Sequence, residues 1–324
     1  MKLESVINLV EESFLDLGSI NWLSIYEAVG AAKAPAISYG VAPGATPNSY
    51  RLAIRSNFPV WAGMDVVAKA EKRAKGECDI RVTGTIRAPR RIKNTAQNAA
   101  LTEMKERMRP LRAGYSIGHH EITAGTLGTF VKTKKGIMIL SNNHVLAKSN
   151  MAKLGDAILQ PGAYDGGVLA NDSVGNLVAF KKIVETGNVM DAAIASIDKK
   201  FMPTDFTLPG IGKIKKGNVQ PVDILGEKVK KVGRTTGLKI GKVSAINLRG
   251  VKVSYHHGTV CSFDNQIEVV MEDGSGFSAG GDSGSFVVSG DNQPVGLLFA
   301  GSDTHTIISP IEAILKEFGA EIIL

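Results

Sequence analysis

Cysteine is scarce in this sequence. The chain has 324 residues and only two cysteines, Cys78 and Cys261, which are too few for a disulfide framework and are typical of a reducing compartment. Two thiols alone cannot complete a zinc site either. We therefore expect neither a disulfide-stapled scaffold nor a metal or organic cofactor.

A long apolar stretch is also missing. No run approaches the roughly 18 residues that a membrane-spanning helix needs. The first segment, MKLESVINLVEESFLDLG, carries Glu4, Glu11, Glu12 and Asp16, whereas a secretory signal peptide has a basic start and an uninterrupted apolar stretch. Its apolar residues recur at helical spacing and predict an amphipathic helix over 3–17. We expect a cytoplasmic protein without a membrane partner.

Positive charge is concentrated in one stretch. The net charge is +7, and residues 87–112 contain eight basic residues against Glu103 and Glu106. Aromatic residues make up 6% of the chain and are absent from this stretch, whereas nucleic-acid-binding surfaces commonly interleave them with basic residues. We therefore favour a solvated basic linker over 88–112 without a nucleic-acid partner, and a nucleic-acid patch is the alternative.

Residues 1–87 combine helical and strand patterns. After the first helix, the spacing predicts a helix over about 20–30 and another over 63–76 that ends at Gly76. The alternating segments PAISYGVA, SYRLAIRS and DIRVTGTIR predict strands. We therefore predict a small α/β N-terminal domain over 1–87, in which no motif carries chemistry. A short helix is expected in the linker at 96–108.

From residue 113 onward, short apolar runs alternate with glycine, of which the chain has 36. Many short strands at close spacing favour an all-β sandwich or a pair of barrels. The last segment, SPIEAILKEFG, places Ser309 as a cap, Pro310 in the first turn and Gly319 at the end of a helix. We predict a mainly β unit over 113–324 that ends in a helix at 310–319.

The segment SAGGDSGSFVV, residues 278–288, sets Ser283 among glycines directly before an apolar run. By itself it is most simply a glycine-rich turn, because a reactive serine needs a base, usually histidine, and the base needs an orienting carboxylate. Upstream, SNNHVLA supplies His144 and NVMDAAIASID supplies Asp191, 47 residues after His144 and 92 before Ser283. This order and spacing match the template of a catalytic triad.

These three segments resemble those of the trypsin/chymotrypsin-like serine peptidases, and VGRTTGLKIGKV (232–243) resembles a strand-turn-strand segment of bacterial and plant intracellular members. The resemblance covers residues 113–319. It implies a double six-stranded antiparallel β-barrel of chymotrypsin type, with barrel one over about 113–205 and barrel two over about 220–308.

The resemblance also implies a role for each residue. Ser283 would be the nucleophile, His144 the general base and then the general acid, and Asp191 the residue that orients His144. The backbone amides of Gly281 and Ser283 would form the oxyanion hole. Asp282 would hold the nucleophile loop from behind.

The sequence departs from the family in two places. Ser285-Phe286 stand where animal digestive members have glycine-proline. An Ile-Val-Gly-Gly start is missing, so we do not expect activation by a freshly cut N-terminus that pairs with Asp282.

The implied specificity pocket begins about six residues before the nucleophile, at Phe277 or Ser278, and its opposite wall is Phe299-Ala300-Gly301. None of these residues is acidic, so cleavage after Lys or Arg is not expected. They favour a small or apolar substrate side chain.

Other residues compete for two of the catalytic roles. Asp165, Asp172 and Asp198 are rivals of Asp191, which is favoured by its position before AAIA. The remaining histidines are rival bases: His119, His120, His256, His257 and His305. We expect the two pairs, at 119–120 and 256–257, at the surface.

We predict a serine endopeptidase that acts on protein or peptide substrates, with an N-terminal domain that recruits or restrains substrates or binds an activator. One alternative is an interaction protein that kept the peptidase fold without using it. Another is a self-processing regulator that is cut within residues 87–112.

Overall fold

Strands form most of the regular structure. The computed structural model describes residues 1–18, 36–58, 65–88, 103–217, 219–255 and 258–324. The α-helices in this part of the chain are α1 (Leu3–Leu17), α2 (Asp65–Arg73), α3 (Asn143–Leu146), α4 (Leu169–Asp172) and α5 (Ile311–Phe318). The strands are β1 (Ile37–Pro43), β2 (Tyr50–Ser56), β3 (Cys78–Val82), β4 (Ile86–Arg87), β5 (Ser116–His119), β6 (Gly125–Thr126), β7 (Thr129–Thr133), β8 (Gly136–Ser141), β9 (Ala157–Leu159), β10 (Ser173–Phe180), β11 (Ala193–Ala195), β12 (Lys228–Gly233), β13 (Gly237–Arg249), β14 (Val251–Ser254), β15 (Val260–Phe263), β16 (Gln266–Val270), β17 (Phe286–Ser289), β18 (Pro294–Gly301), β19 (His305–Pro310) and β20 (Glu321–Ile322).

The helices predicted at the two ends of the chain are confirmed as α1 and α5, and α2 lies within the helix predicted over 63–76. Residues 20–30, where another helix was predicted, lie outside the described part of the chain. So do residues 96–102 of the predicted linker helix, and residues 104–108 form turns and irregular chain. Among the described helices, none is long and apolar enough to cross a membrane.

One predicted strand is divided in two. The segment DIRVTGTIR forms β3 and β4 with an irregular stretch between them. Gly84 in that stretch has a φ of +67°, in the left-handed region that favours glycine. The alternation of apolar residues continues across the break, which is why the pattern alone predicted one strand.

Barrel two is a closed barrel of six strands. The pairing runs β12–β13–β16–β19–β18–β17 and returns to β12, and every pair is antiparallel. Alternate side chains of a strand point to opposite faces, and the inward ones form an apolar core. The core includes Val229, Val243, Val269, Val287, Leu298 and Ile308.

Barrel one is a half-barrel. Its strands follow the order β7–β8–β11–β10–β9–β5–β6, with β20 added beside β7. β6 has only two residues, and the amide of its Thr126 donates to the carbonyl of Ser283 at 2.8 Å. The edge of barrel one therefore supports the segment of barrel two that contains Ser283. The predicted fold class, two antiparallel chymotrypsin-type barrels and a C-terminal helix, is confirmed in this form.

The N-terminal segment extends the sheet of barrel two. β1 pairs with β13, β2 pairs with β1, and β3 pairs in parallel with β2. Val6 and Val10 of α1 and Leu52 of β2 belong to the same apolar core as the barrel strands. β4 returns between β14 and β18. A separate domain over residues 1–87 stays a prediction.

A buried ion pair joins this segment to the barrel. Arg55 of β2 donates from Nε to both carboxylate oxygens of Glu268 in β16, at 2.8 and 3.0 Å, and from a terminal nitrogen to Asp79 at 2.8 Å. Burial raises the pKa of Glu268, but the charge of Arg55, with a smaller contribution from His305, outweighs it and the net pKa is lowered.

We expect Arg55→Met to lower the free energy of unfolding by about 3–5 kcal/mol at neutral pH, because it leaves Glu268 buried without its cation. A carboxylate with a lowered native pKa stabilises the fold above its unfolded-state pKa and loses that effect on acidification. The difference in the free energy of unfolding between wild type and Arg55→Met should therefore narrow as the pH falls below about 4.

Urea titrations across pH would test this expectation. Arg51→Met is the matched control, because Arg51 lies in the same strand and its Nε donates only to the carbonyl of Pro43, at 3.0 Å. Equal losses in the two variants would contradict the role of the Arg55–Glu268 pair.

Candidate active site

His144 and Asp191 form a buried pair in barrel one. His144 lies in α3, which follows β8, and Asp191 lies two residues before the start of β11. His144 Nδ1 is 2.6 Å from Asp191 Oδ2, and the His144 amide donates to Oδ1 at 3.2 Å. A carboxylate only accepts hydrogen bonds, so in the neutral imidazole Nδ1 carries the proton and Nε2 is an acceptor. Among the described residues, Nε2 has no hydrogen-bond partner.

Tyr255 adds a third donor to this carboxylate. Its hydroxyl donates to Asp191 Oδ2 at 2.8 Å, and its ring centroid is 6.2 Å from that of His144. Burial and the adjacent Asp191 charge raise the pKa of Tyr255 well above its ordinary value, so the phenol stays protonated. Sequence reasoning missed this residue, because no local motif marks a tyrosine that lies 64 residues from its partner.

Ser283 lies at the contact between the two barrels. An added Cβ at Gly125 would lie 2.5 Å from Cγ2 of Val145, which follows His144, and 2.9 Å from the carbonyl oxygen of Ser283. The segment that carries His144 and the segment that carries Ser283 therefore both pack against Gly125. The Ser283 hydroxyl makes a long hydrogen bond to the carbonyl of Phe299, at 3.4 Å. The structure thus joins His144 to Asp191 directly, and Ser283 is not hydrogen-bonded to His144 in it.

The backbone amides of Gly281 and Ser283 point away from the hydrogen bonds that hold the loop together. The carbonyl of Gly280 accepts from Thr235, and that of Asp282 accepts from Ser285. The carbonyl and N–H of a trans peptide point in opposite directions, so the amides of Gly281 and Ser283 point away from these donors. Within the described residues, neither amide donates a hydrogen bond.

Glycine is required at position 281. Its φ is +95°, and a Cβ there would meet Thr235 Oγ1 at 2.4 Å and Arg234 Nη1 at 2.5 Å. A larger residue would push the loop away from these side chains and move its amides. The local sequence therefore fixes the direction of the candidate oxyanion-hole donors.

Asp282 braces the loop through a buried ion pair with Lys231 of β12. Lys231 Nζ is 3.2 Å from Asp282 Oδ2, and both side chains are fully buried. The carboxylate also accepts from the amides of Thr235, Thr236 and Ala279 at 2.9–3.1 Å. Burial raises the pKa of Asp282, but Lys231 and these donors outweigh it, and the net pKa is lowered.

A second ion pair links the barrels behind the loop. Arg234 donates from Nε to Asp165 Oδ2 at 2.7 Å and from a terminal nitrogen to the other oxygen. Asp165 belongs to barrel one and also accepts from Ser116 at 2.5 Å. Arg234 is 1% exposed, so it is fixed against the loop that carries Gly281.

Two of the rival carboxylates are engaged elsewhere, and the third, Asp198, is exposed. Asp172 pairs with Arg107 at 3.2 Å, and Asp165 with Arg234. The expectation that the paired histidines lie at the surface is wrong for His119, which is buried, and His305 is buried as well. His119 pairs with Asp156 at 3.1 Å and His305 with Thr304 at 2.8 Å. His256 and His257 lie outside the described residues, and His120 is half-buried.

The predicted pocket residues lie in two places. Phe299 and Gly301 are on β18, where the carbonyl of Phe299 accepts from the Ser283 hydroxyl. Ser278 Oγ is 2.8 Å from the hydroxyl of Thr306, and Thr306 pairs with Gly301. Phe277 is fully buried in the core of barrel two. The assignment of these four residues to a specificity pocket stays a prediction.

The matched family model carries the description Nal1 C-terminal domain, and it covers residues 97–310. The match spans more than half of the chain, so the chain belongs to this family. No curated protein sequence matches it.

Solved structures that resemble the chain are chymotrypsin-like bacterial serine proteases. Thermobifida fusca Protease A is 17% identical over 65% of this chain and 97% of its own, with a TM-score of 0.45. Nocardiopsis protease is 19% identical over 65% and 98%, with a TM-score of 0.45. Cellulomonas bogoriensis chymotrypsin is 18% identical over 65% and 97%, with a TM-score of 0.44. Sequence identities of 17–19% do not transfer residue roles. Any catalytic role of the site residues must therefore be argued from the geometry of this chain.

We expect Lys231→Met to lower the free energy of unfolding by about 3–5 kcal/mol, because Asp282 stays buried without its counter-ion. Lys230→Met is the matched control, since the neighbouring Lys230 is half-buried and donates to the carbonyl of Gly290 at 2.8 Å. Adding Asp282→Asn to Lys231→Met should recover part of the loss. Urea denaturation measures all three variants, and equal losses for Lys231→Met and Lys230→Met would contradict the brace.

Proposed function

We propose that this protein is a serine endopeptidase that hydrolyses peptide bonds through Ser283, His144 and Asp191. The observation that carries the proposal is the buried His144–Asp191 pair, with Nδ1 at 2.6 Å from the carboxylate and Nε2 left without a partner among the described residues. An imidazole held in this way is a general base that is already oriented.

The proposed reaction has two halves. Nε2 of His144 takes the proton of the Ser283 hydroxyl while Oγ attacks the substrate carbonyl carbon. The oxyanion is stabilised by the amides of Gly281 and Ser283, and Asp191 stabilises the imidazolium. His144 then protonates the leaving amine, which departs as the acyl-enzyme forms. Water, deprotonated by His144, then attacks the acyl carbon. The ester bond to Ser283 breaks as His144 returns the proton to Oγ, and the acid product is released.

The predicted pocket supports a preference for small or apolar side chains, since Ser278, Phe299 and Gly301 carry no charge. The substrate is proposed to be an extended peptide or an unfolded protein segment. The N-terminal segment is proposed to recruit or restrain substrates through its shared sheet with barrel two.

A second candidate function is an interaction protein with an unused or latent peptidase site. It is favoured by the Ser283 hydroxyl, which contacts the carbonyl of Phe299 and not His144. The two candidates differ in whether Ser283 reacts.

The first test is intact-mass spectrometry after incubation with a fluorophosphonate, which forms a covalent adduct with an activated serine. We expect one adduct on wild type and none on Ser283→Ala, because the phosphonate needs the Ser283 oxygen. Ser289→Ala, at the end of β17, is the matched control and should be labelled like wild type. A wild type without an adduct would favour the interaction protein.

Tyr255→Phe tests the third donor to Asp191. A hydrogen bond to a charged group contributes about 1.5–3 kcal/mol, so we expect kcat for a cleaved peptide to fall by about 10- to 150-fold. KM should change little, because Tyr255 orients the triad and does not bind substrate. Tyr50→Phe in β2 is the control, and steady-state kinetics is the measurement. Equal kcat values would exclude a positioning role.

A further inference from the structure

β18 has two edges, and the pairing identifies what lies on each. Leu297 pairs with Ser309 of β19 on one edge and with Phe286 of β17 on the other. A strand has one partner per edge at a given residue, so β17 and β19 lie on opposite sides. β19 remains paired as far as Gly301, whereas the described register of β17 stops at Leu297. Leu298 still bonds to Ser285 and Gly284, the two residues before β17, so the second edge is free of this segment beyond Leu298.

The nucleophile and β4 share that second edge. The Ser283 hydroxyl contacts the carbonyl of Phe299. Two residues further on, Gly301 pairs with Thr306 of β19 on the first edge and with Arg87 of β4 on the other. The order along the second edge is therefore β17, Ser283 and then β4.

The direction of β4 leads toward the nucleophile. β4 is antiparallel to β18, so the chain passes Gly301 at Arg87 and proceeds toward the level of Phe299. Ala88 follows, fully buried in one apolar cluster with Phe299 and Tyr255. Its amide donates to the carbonyl of Ser254 in β14 at 3.0 Å.

An extended peptide binds a sheet edge through its backbone hydrogen bonds. The acyl part of a substrate must end at the nucleophile, so along this edge it would run in the direction of β4 and beside the same residues. We propose that residues 86–88 are an internal strand that occupies the peptide-binding edge of β18 and keeps the site latent toward extended substrates. This inference rests on the proposed endopeptidase function.

Few backbone pairings hold β4 at this edge, which is consistent with a strand that can be displaced. β4 has two residues, one register pair with β18 and two with β14. The Arg87 side chain is exposed, so the main chain and the neighbouring Ile86 and Ala88 hold the segment. These residues also lie outside the family match, which begins at residue 97. The occupant is thus supplied by a part of this chain that the family match does not include.

The test compares two substrates on three proteins: wild type, Ala88→Asp and Arg87→Ala. Ala88→Asp places a charge in the apolar cluster and should expel the strand, whereas Arg87→Ala is the matched control that leaves the backbone pairing intact. Acetyl-alanine p-nitrophenyl ester reaches the nucleophile without pairing to β18, and acetyl-tetra-alanine p-nitroanilide must pair. If the edge is free in wild type about a tenth of the time, kcat/KM for the tetrapeptide rises about tenfold in Ala88→Asp.

The ester rate should be the same in all three proteins, and the tetrapeptide rate of Arg87→Ala should equal that of wild type. If Ala88→Asp hydrolyses the tetrapeptide at the wild-type rate and ester hydrolysis is intact, the inference is overturned. β4 would then be a permanent part of the site. Loss of ester hydrolysis and of fluorophosphonate labelling in every protein would overturn the proposed function and this inference with it.

A second measurement uses the unaltered chain, in case Ala88→Asp does not fold. Wild type is labelled with an acetyl-tetra-alanine chloromethyl ketone, and hydrogen exchange is followed at the Ala88 amide. Displacement of β4 breaks the bond to Ser254 and should accelerate that exchange at least tenfold over unlabelled protein. Exchange that stays equal, with the label attached at the site, would overturn the inference.

Discussion

The loop that carries Ser283 depends on one buried ion pair, Lys231–Asp282. A buried carboxylate is tolerated only when a cation and hydrogen-bond donors surround it, and Asp282 has Lys231 and three backbone amides. Because Asp282 directly precedes Ser283, the same contacts that satisfy its charge fix the turn in which Ser283 and its amide lie. The loop is thereby held by β12 and the β12–β13 turn, without a salt bridge to a chain terminus.

Two other buried cations extend this arrangement. Arg234 joins barrel two to Asp165 of barrel one, and Arg55 joins the N-terminal segment to Glu268. Each pair spans two parts of the chain that are distant in sequence, and each would be costly to separate, because a buried charge would lose its partner. The barrels and the N-terminal strands are consequently fixed to one another around the loop.

Much of this could be predicted from the sequence where the signal is local. Short apolar runs between glycines predicted a mainly β unit, and the resemblance to serine peptidases implied the two barrels. The helical spacing predicted α1 and α5. Asp191 was favoured over Asp165 and Asp172 by position alone, and the structure shows those two rivals paired with arginines. Contacts between residues that are distant in sequence could not be predicted. Tyr255 reaches Asp191 only through the β14–β15 hairpin, and β4 was hidden because its alternating pattern continues that of β3.

The carbonyl of Phe299 connects these observations. It accepts the Ser283 hydroxyl in a long bond, and it lies on the edge that β4 occupies at Gly301. In the proposed reaction, a peptide that pairs along this edge would bring an N–H group to the same carbonyl. A backbone donor at normal distance competes favourably with a hydroxyl at 3.4 Å, since hydrogen bonds weaken at long separation. Substrate pairing would then free the hydroxyl to turn toward His144, so occupation of the edge and alignment of the nucleophile are parts of one event.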